Sequence, residues 1–304
     1  MNLRQLHFFL EVARCGSFTA ATERLHISQP ALSIAIRKLE EELEVKLFNR
    51  RDRQITLTAE GEVLARHARE IQRKVTEARQ ELADLRGLLK GEVRIGLTPM
   101  LSSCFLPRIV SAFKQRHPAL QMSITGDSAW NISRQIEQGE IDMGIIAGPV
   151  PEGFDSHHLL RDEVVACVPR NHPFARRGSV PIRELLEEPL IHFKAGYHLR
   201  EMIDALAAQE CIDPVVVAES NLFSLIANLV KEELGLAFLL RMMVTQDTQL
   251  AALSCSIPLY LDLSIAWKKN TSLSRANHAF VEFLIEEVDD YYLLAQAAST
   301  FPLP

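Results

Sequence analysis

Ser28, Gln29, Pro30 and Ser33 stand together at the start of a segment whose apolar positions, Leu32, Ile36 and Leu39, recur at helical spacing. A glutamine side chain can bond an adenine edge at two positions, and a serine hydroxyl is a less selective donor or acceptor. These groups suit reading base edges rather than breaking bonds. Ser17 and Ser28 are N-cap residues. Pro30 falls in a first helical turn, where its missing N–H costs nothing. Ala20, Ala21 and Leu25 share a face of the preceding helix, and the small Ala21 lets the next helix approach. The spacing predicts a helix-turn-helix whose second helix enters the major groove by its N-terminal end. Arg37, farther along that helix, completes its DNA-contacting set. Upstream, Leu3, Leu6, Phe9 or Leu10, and Ala13 predict a first helix that closes a small core.

The elements that follow must hold this reader. Lys46 to Arg50 and Gln54 to Thr58 read as short extended runs around a turn at Arg51-Asp52-Arg53, a hairpin wing. Arg50, Arg51 and Arg53 suit phosphates or the minor groove. Thr58 then caps a long helix. Along it, Leu64, Ala68, Ile71, Val75, Ala78, Leu82, Leu85 and Leu89 recur at alternating steps of four and three. At 1.5 Å per residue the seam spans roughly 37 Å. Its flanks are charged or polar, and so strict a stripe is narrower than a globular helix needs. It predicts pairing with a second copy, two reading helices, and double-stranded DNA bearing an interrupted inverted repeat. Gly87 and Gly91 mark a hinge.

Beyond Gly91 the period changes. Residues 92–98, 120–126, 141–147, 164–169, 190–193, 215–218, 236–240 and 265–267 read as strands. Residues 101–115, 130–138, 182–186, 198–209, 222–232 and 276–292 read as helices. Such alternation predicts a parallel sheet with helices on its faces. Ligands of open α/β sheets sit at the carboxyl ends of strands. The candidates there are Thr98, Pro99, Met100, Leu101 and Ser102 after the first strand, Asp127 and Ser128 after the second, and Gly148 after the third. Phe193, Tyr197, His198 and Arg200 face them from a second set of elements. Hydroxyls and helix-start N–H groups suit a carboxylate or phosphate, so the expected ligand is a small organic anion. Arg200 or His198 would pair with it.

Catalysis finds no motif. The chain has no G-x-S-x-G elbow, P-loop, H-E-x-x-H or glycine-rich dinucleotide fingerprint. His157 and His158 are neighbours on an extended run and point opposite ways. Cys15, Cys104, Cys167, Cys211 and Cys255 are dispersed, without metal-ligand spacing. No metal, no cofactor and no enzyme activity are expected.

Leu6 with Phe9, Ser17-Phe18-x-x-Ala21, Ser28-Gln29-Pro30-Ala31-Leu32-Ser33 running to Leu39-Glu40, Leu47-Phe48-x-Arg50 and Leu57-Thr58-x-x-Gly61 keep one order and spacing. The chain thereby resembles the LysR-type transcriptional regulators over nearly its whole length. The resemblance implies an N-terminal all-α winged helix-turn-helix (1–58) and a linker and dimerisation helix (59–90). It also implies a C-terminal α/β two-lobed effector domain (91–300), similar to type 2 periplasmic binding proteins. Lobe I would cover about 91–161 and 267–300, and lobe II about 162–266. The implied partners are DNA, a small-molecule effector between the lobes, further copies of the chain as a dimer of dimers, and RNA polymerase. Four departures stand out. Glu44 and Glu233 occupy positions where relatives carry Gly, and Arg241 replaces a Pro. Ile34 and Ala35 replace polar base-readers, which leaves base contact to Gln29, Ser33 and apolar contact from Pro30 or Ile34. Some relatives sense peroxide through a reversible disulfide, but here Cys211 has no near sequence partner.

Charge and composition agree with this reading. A chain of 304 residues fits two or three domains. Its net charge of −6 hides a split, with a balance of +3 over residues 1–90 and −9 beyond. No run is apolar enough for a membrane span. The opening Met-Asn-Leu-Arg-Gln-Leu-His lacks a signal-peptide pattern, so the expected location is the cytoplasm.

Overall fold

The computed structural model describes residues 1–49, 55–84, 91–245 and 247–299. The chain divides into two compact units, one over Met1–Leu88 and one holding most of the rest.

In the first unit, helices α1 (Leu3–Cys15), α2 (Phe18–Leu25) and α3 (Gln29–Leu43) precede strands β1 (Phe48–Asn49) and β2 (Thr56–Leu57) and helix α4 (Ala59–Asp84). Local chemistry sets the boundaries. Asn2 and Gln5 form a reciprocal capping box on α1, and Gly16 ends it at φ 60. The Ser17 hydroxyl accepts from Ala20 N at 3.4 Å and caps α2. Ser28 occupies the N-cap of α3 but makes no capping bond. The expectation there held for position and not for chemistry. Leu6, Phe9, Val12, Ala21, Leu32, Ile36, Leu39 and Leu47 are buried in one core. Phe9 and Phe18 pack on Phe48 at ring separations of 5.3 and 6.0 Å. That ties the wing's first strand to the helices. Buried Glu40 accepts from Leu47 N at 2.9 Å. The Thr58 hydroxyl donates to Lys46 O at 2.6 Å and accepts from Gly61 N at 2.9 Å, so it caps α4 while closing the wing.

The long seam splits in two. Ala68 is fully buried against the unit's own core, and Leu64 and Ile71 pack on it. Ala68, expected to pair with a partner, fills the helix-turn-helix core, and Leu64 and Ile71 reach that core with part of their surface, because α4 lies along α1. Val75 is half-buried, Ala78 is exposed and Leu82 is 63% exposed. Leu85 and Leu89 lie outside the described residues.

The second unit contains β3 (Gly91–Leu97), α5 (Pro99–Cys104), α6 (Leu106–Arg116), β4 (Leu120–Gly126), α7 (Ala129–Glu137), β5 (Met143–Ala147) and β6 (Phe154–Pro169). A short 3-10 turn at Pro173–Arg176 leads to β7 (Ser179–Val180), α8 (Ile182–Leu186), β8 (Leu190–His192), α9 (His198–Gln209) and β9 (Val216–Glu219). The chain closes with α10 (Phe223–Lys231), β10 (Ala237–Leu240), α11 (Arg241–Val244), β11 (Leu250–Cys255), β12 (Leu259–Lys268) and α12 (Arg275–Ser299).

The main sheet runs β4-β3-β5-β12-β6-β11-β7, with β10 also on β6, while β8 and β9 form a separate pair. Among the described strands β3 with β4 and β5, β7 with β11, and β8 with β9 are parallel and the other pairs antiparallel, so the expected parallel sheet is mixed. The antiparallel pairs are made by β6 and β12, the strands that cross between the lobes. β6 begins at Phe154, ten residues before the expected start. Its first half is too polar and too exposed to read as a core strand. From Leu263 onward β12 pairs with β5. Residues 263–266, expected in lobe II, therefore belong to the sheet of lobe I.

Candidate nucleic-acid interface and effector cleft

Helix α3 presents its start to solvent. Leu32, Ile36 and Leu39 are fully buried, while Ser28, Gln29, Pro30 and Arg37 are exposed and Ser33 is half-buried. Lys38, absent from the expected set, is also exposed on this helix. Its place in the period, next to Arg37 and off the buried stripe, was the signal for it. Helix α3 ends at Glu44, which sits in the left-handed region at φ 55, ψ 29. The turn relatives make with Gly is thus kept here with Glu. Strands β1 and β2 pair antiparallel, Phe48 with Leu57 and Asn49 with Thr56, as a wing requires. Arg50, Arg51 and Arg53 lie outside the described residues.

In the second unit, Leu97 pairs with both Gly126 and Ile145, so β3, β4 and β5 end side by side. Thr98 stands at that edge. It is 3% exposed, and its hydroxyl is buried without a hydrogen-bond partner. It occupies the N-cap of α5 but makes no capping bond. An unsatisfied buried hydroxyl costs about 1–3 kcal/mol. Asp127 is already occupied, accepting from Ser128 N at 2.7 Å and from Asn131 Nδ2 at 2.8 Å. The Ser128 hydroxyl accepts from Asn131 N at 3.3 Å, which starts α7. Gly148 has φ 98, and a Cβ there would lie 2.5 Å from the His198 ring. Strand β5 of one lobe and helix α9 of the other therefore meet at this pair.

Several expected contacts serve other purposes. Met100, Leu101 and Phe193 are buried in the main core, as is Tyr197. Ser102 Oγ donates to Pro99 O at 2.7 Å within its own helix, and Pro99 is half-buried. Arg200 does not face the cleft as a free cation. It bonds Glu219 and Asp204 at 2.6 Å each, and Phe193 O at 2.9 Å. The Glu219 bond does most to hold its pKa above the ordinary arginine value. Beside it, burial and then the Arg200 charge push the pKa of His192 down.

Tyr197 stacks on Phe193 at 5.7 Å. Burial raises its pKa, a bond with Asn221 opposes the rise, and the charge of Asp127 on the other lobe adds to it. Asn221 was not foreseen, since an asparagine between a strand and a helix reads as an ordinary turn residue. α9 and α10 both begin without a side-chain cap. Their first N–H groups suit an anion. Together the strand ends at Thr98, Asp127 and Gly148 face Tyr197, His198 and Asn221. That setting offers hydroxyl, amide and backbone N–H groups of the kind that suit a small polar molecule.

Two of the described thiols are set against redox sensing. Burial pushes Cys167 up to about 12 and Cys255 up to about 11. Both stay protonated near neutral pH and are poor nucleophiles. Cys15 and Cys211 are also free.

Residues 3–62 match the family model described as bacterial regulatory helix-turn-helix protein, lysR family, and residues 86–289 match the LysR substrate binding domain. The HTH-type transcriptional regulator YwbI of Bacillus subtilis is 32% identical over 288 residues, covering 93% of this chain and 95% of its own length. Among solved structures, a full-length OxyR variant from Pseudomonas aeruginosa aligns with a TM-score of 0.75 at 22% identity, covering 95% of this chain and 94% of that one. The regulatory domain of Synechocystis CcmR in complex with 2-PG aligns with a TM-score of 0.62 at 21% identity, covering 66% of this chain and 99% of that one.

Proposed function

The chain belongs to the LysR family of bacterial transcriptional regulators, and from that premise we propose how its residues divide the work. Residues 1–58 read the duplex, with Ser28, Gln29, Pro30 and Ser33 at base edges and Arg37, Arg50, Arg51 and Arg53 on the backbone. Residues 59–90 link and pair two copies, so the site is an interrupted inverted repeat, and two such dimers act together. Residues 91–300 take a small organic anion between the lobes. Thr98, Ser128, Gly148, Tyr197, His198 and Asn221 surround it, and Asp127 orders the turn beside it. Its binding re-aims the reading helices, and RNA polymerase responds to the change. No chemical step on the ligand is involved. Among the described residues no helix is long and apolar enough to cross a membrane, and the reading assigns the protein to the cytoplasm.

The observation that carries the effector part is the Thr98 hydroxyl, buried and unpartnered where three parallel strands end. Buried polar groups in native proteins nearly always find partners, and a ligand oxygen would supply one. A domain of this fold holding 2-PG supports a small molecule as that partner. Thr98→Val tests it with a side chain of the same shape. The unliganded variant should melt at or above the wild-type temperature, because an unsatisfied hydroxyl has been removed. Calorimetry against a panel of small carboxylates and phosphates should find a ligand whose affinity falls about 10- to 100-fold in the variant, the equivalent of about 1–3 kcal/mol. A ligand held equally by both proteins would remove Thr98 from the site.

A further inference from the structure

The exposed face of α3 is not uniformly polar. At ~100° per residue, Ile34 lies about 180° around the helix from the stripe of Leu32, Ile36 and Leu39. It is 50% exposed, so the side chain that points most directly away from the core is apolar and β-branched. Pro30, one turn earlier, is also exposed, and Arg37 and Lys38, one turn later, flank the pair with positive charge. Pro30 and Ile34 thus form a short apolar ridge between cations, with Ser33 about 100° to one side and Gln29 farther round toward the core. In the major groove the apolar feature is the C5 methyl of thymine.

We propose that Ile34 is a specificity-determining residue that recognises the methyl group of one thymine in each half-site. The inference rests on α3 being the reading helix. An apolar contact of this kind carries no hydrogen bond, so it selects thymine over cytosine and over uracil by the methyl alone. Arg37 and Lys38 hold the flanking phosphates and set the depth at which Ile34 meets the base. Gln29 and Ser33 read the neighbouring edges by hydrogen bonds, and the two kinds of contact are separable.

The test uses the full chain and duplexes selected by it from a random pool. Each thymine of the selected site is replaced in turn by uracil, which removes only the methyl. Wild-type protein should lose about 4-fold in affinity per half-site at one thymine, the equivalent of about 0.8 kcal/mol for a buried carbon group. Ile34→Ala should bind the thymine and uracil forms equally, while keeping its discrimination at the position lost in Gln29→Ala. Ile34→Val should keep the methyl preference. A site with no methyl-sensitive thymine, or a methyl preference that survives in Ile34→Ala, overturns the inference and leaves the reading helix standing. Failure of the pool to yield any specific site overturns the reading helix and the inference with it.

Discussion

Glu44 and Glu233 hold the left-handed backbone at φ 55 and 60, a region that favours glycine. The resemblance placed Gly at both, and the structure keeps the turns without it. A left-handed non-glycine residue costs about 1–2 kcal/mol, and the extra freedom of glycine in the unfolded chain offsets about 0.5–1 kcal/mol of any gain. Glu44→Gly should therefore stabilise the protein by roughly 0.5–1 kcal/mol in urea unfolding. Glu233→Gly should gain less, because it also removes the 2.9 Å bond from Asn171. A destabilised Glu44→Gly would show that the Glu side chain has a use at that turn. At this scale the exposed positions of α3 were legible, because helical period alone separates them from buried Leu32, Ile36 and Leu39. The cleft was half legible. Strand ends identify Thr98 and Gly148, but they do not tell that Arg200 is already held by Asp204 and Glu219, or that Met100 and Phe193 point into the core. Those facts depend on side chains distant in sequence.

Helix α4 shows why an element can mislead. A heptad stripe looks the same whether it meets a partner or its own domain, and here its first half meets its own domain while Ala78 and Leu82 stay exposed. Ala68 has no room, so Ala68→Leu should cost about 1–3 kcal/mol of folding stability through overpacking. Leu82 is exposed, so Leu82→Glu should leave the melting temperature nearly unchanged and weaken self-association in sedimentation equilibrium. Equal association of Leu82→Glu and wild type would move the pairing surface off this half of the helix. Strand β6 carries the opposite lesson. Its polar first half hid a strand, where cross-strand partners such as Asp262 for Arg161, bonded at 2.8 and 2.9 Å, join the core packing of Leu159 and Leu160.

For the whole molecule, the lobes meet where Gly148 has no side chain and His198 fills the space. Gly148→Ala adds a methyl against the imidazole and asks alanine to hold φ 98. It should cost about 1–3 kcal/mol in unfolding experiments. Removing the ring in the double variant with His198→Ala should recover about 1 kcal/mol of that loss, as expected of residues in contact. Strict additivity would show that the lobes do not meet through this pair. The helix-turn-helix and the later strand-helix alternation were legible from period, caps and motif spacing, and the two-lobed plan from the family resemblance. The sheet's mixed direction was not, because it arises from two crossing strands whose pairing is set by partners far along the chain.

In the proposed function α3 reads DNA sequence and paired copies set the spacing. Footprinting genomic DNA with the full chain, wild type against Gln29→Ala, tests it most directly. Exposed Gln29 is not part of the core, so the variant folds. Wild-type protein should give short paired footprints about one or two helical turns apart, with base preference at one position per half-site falling by about 1–3 kcal/mol in the variant. Unpaired or sequence-independent protection, or an identical pattern from Gln29→Ala, would contradict it.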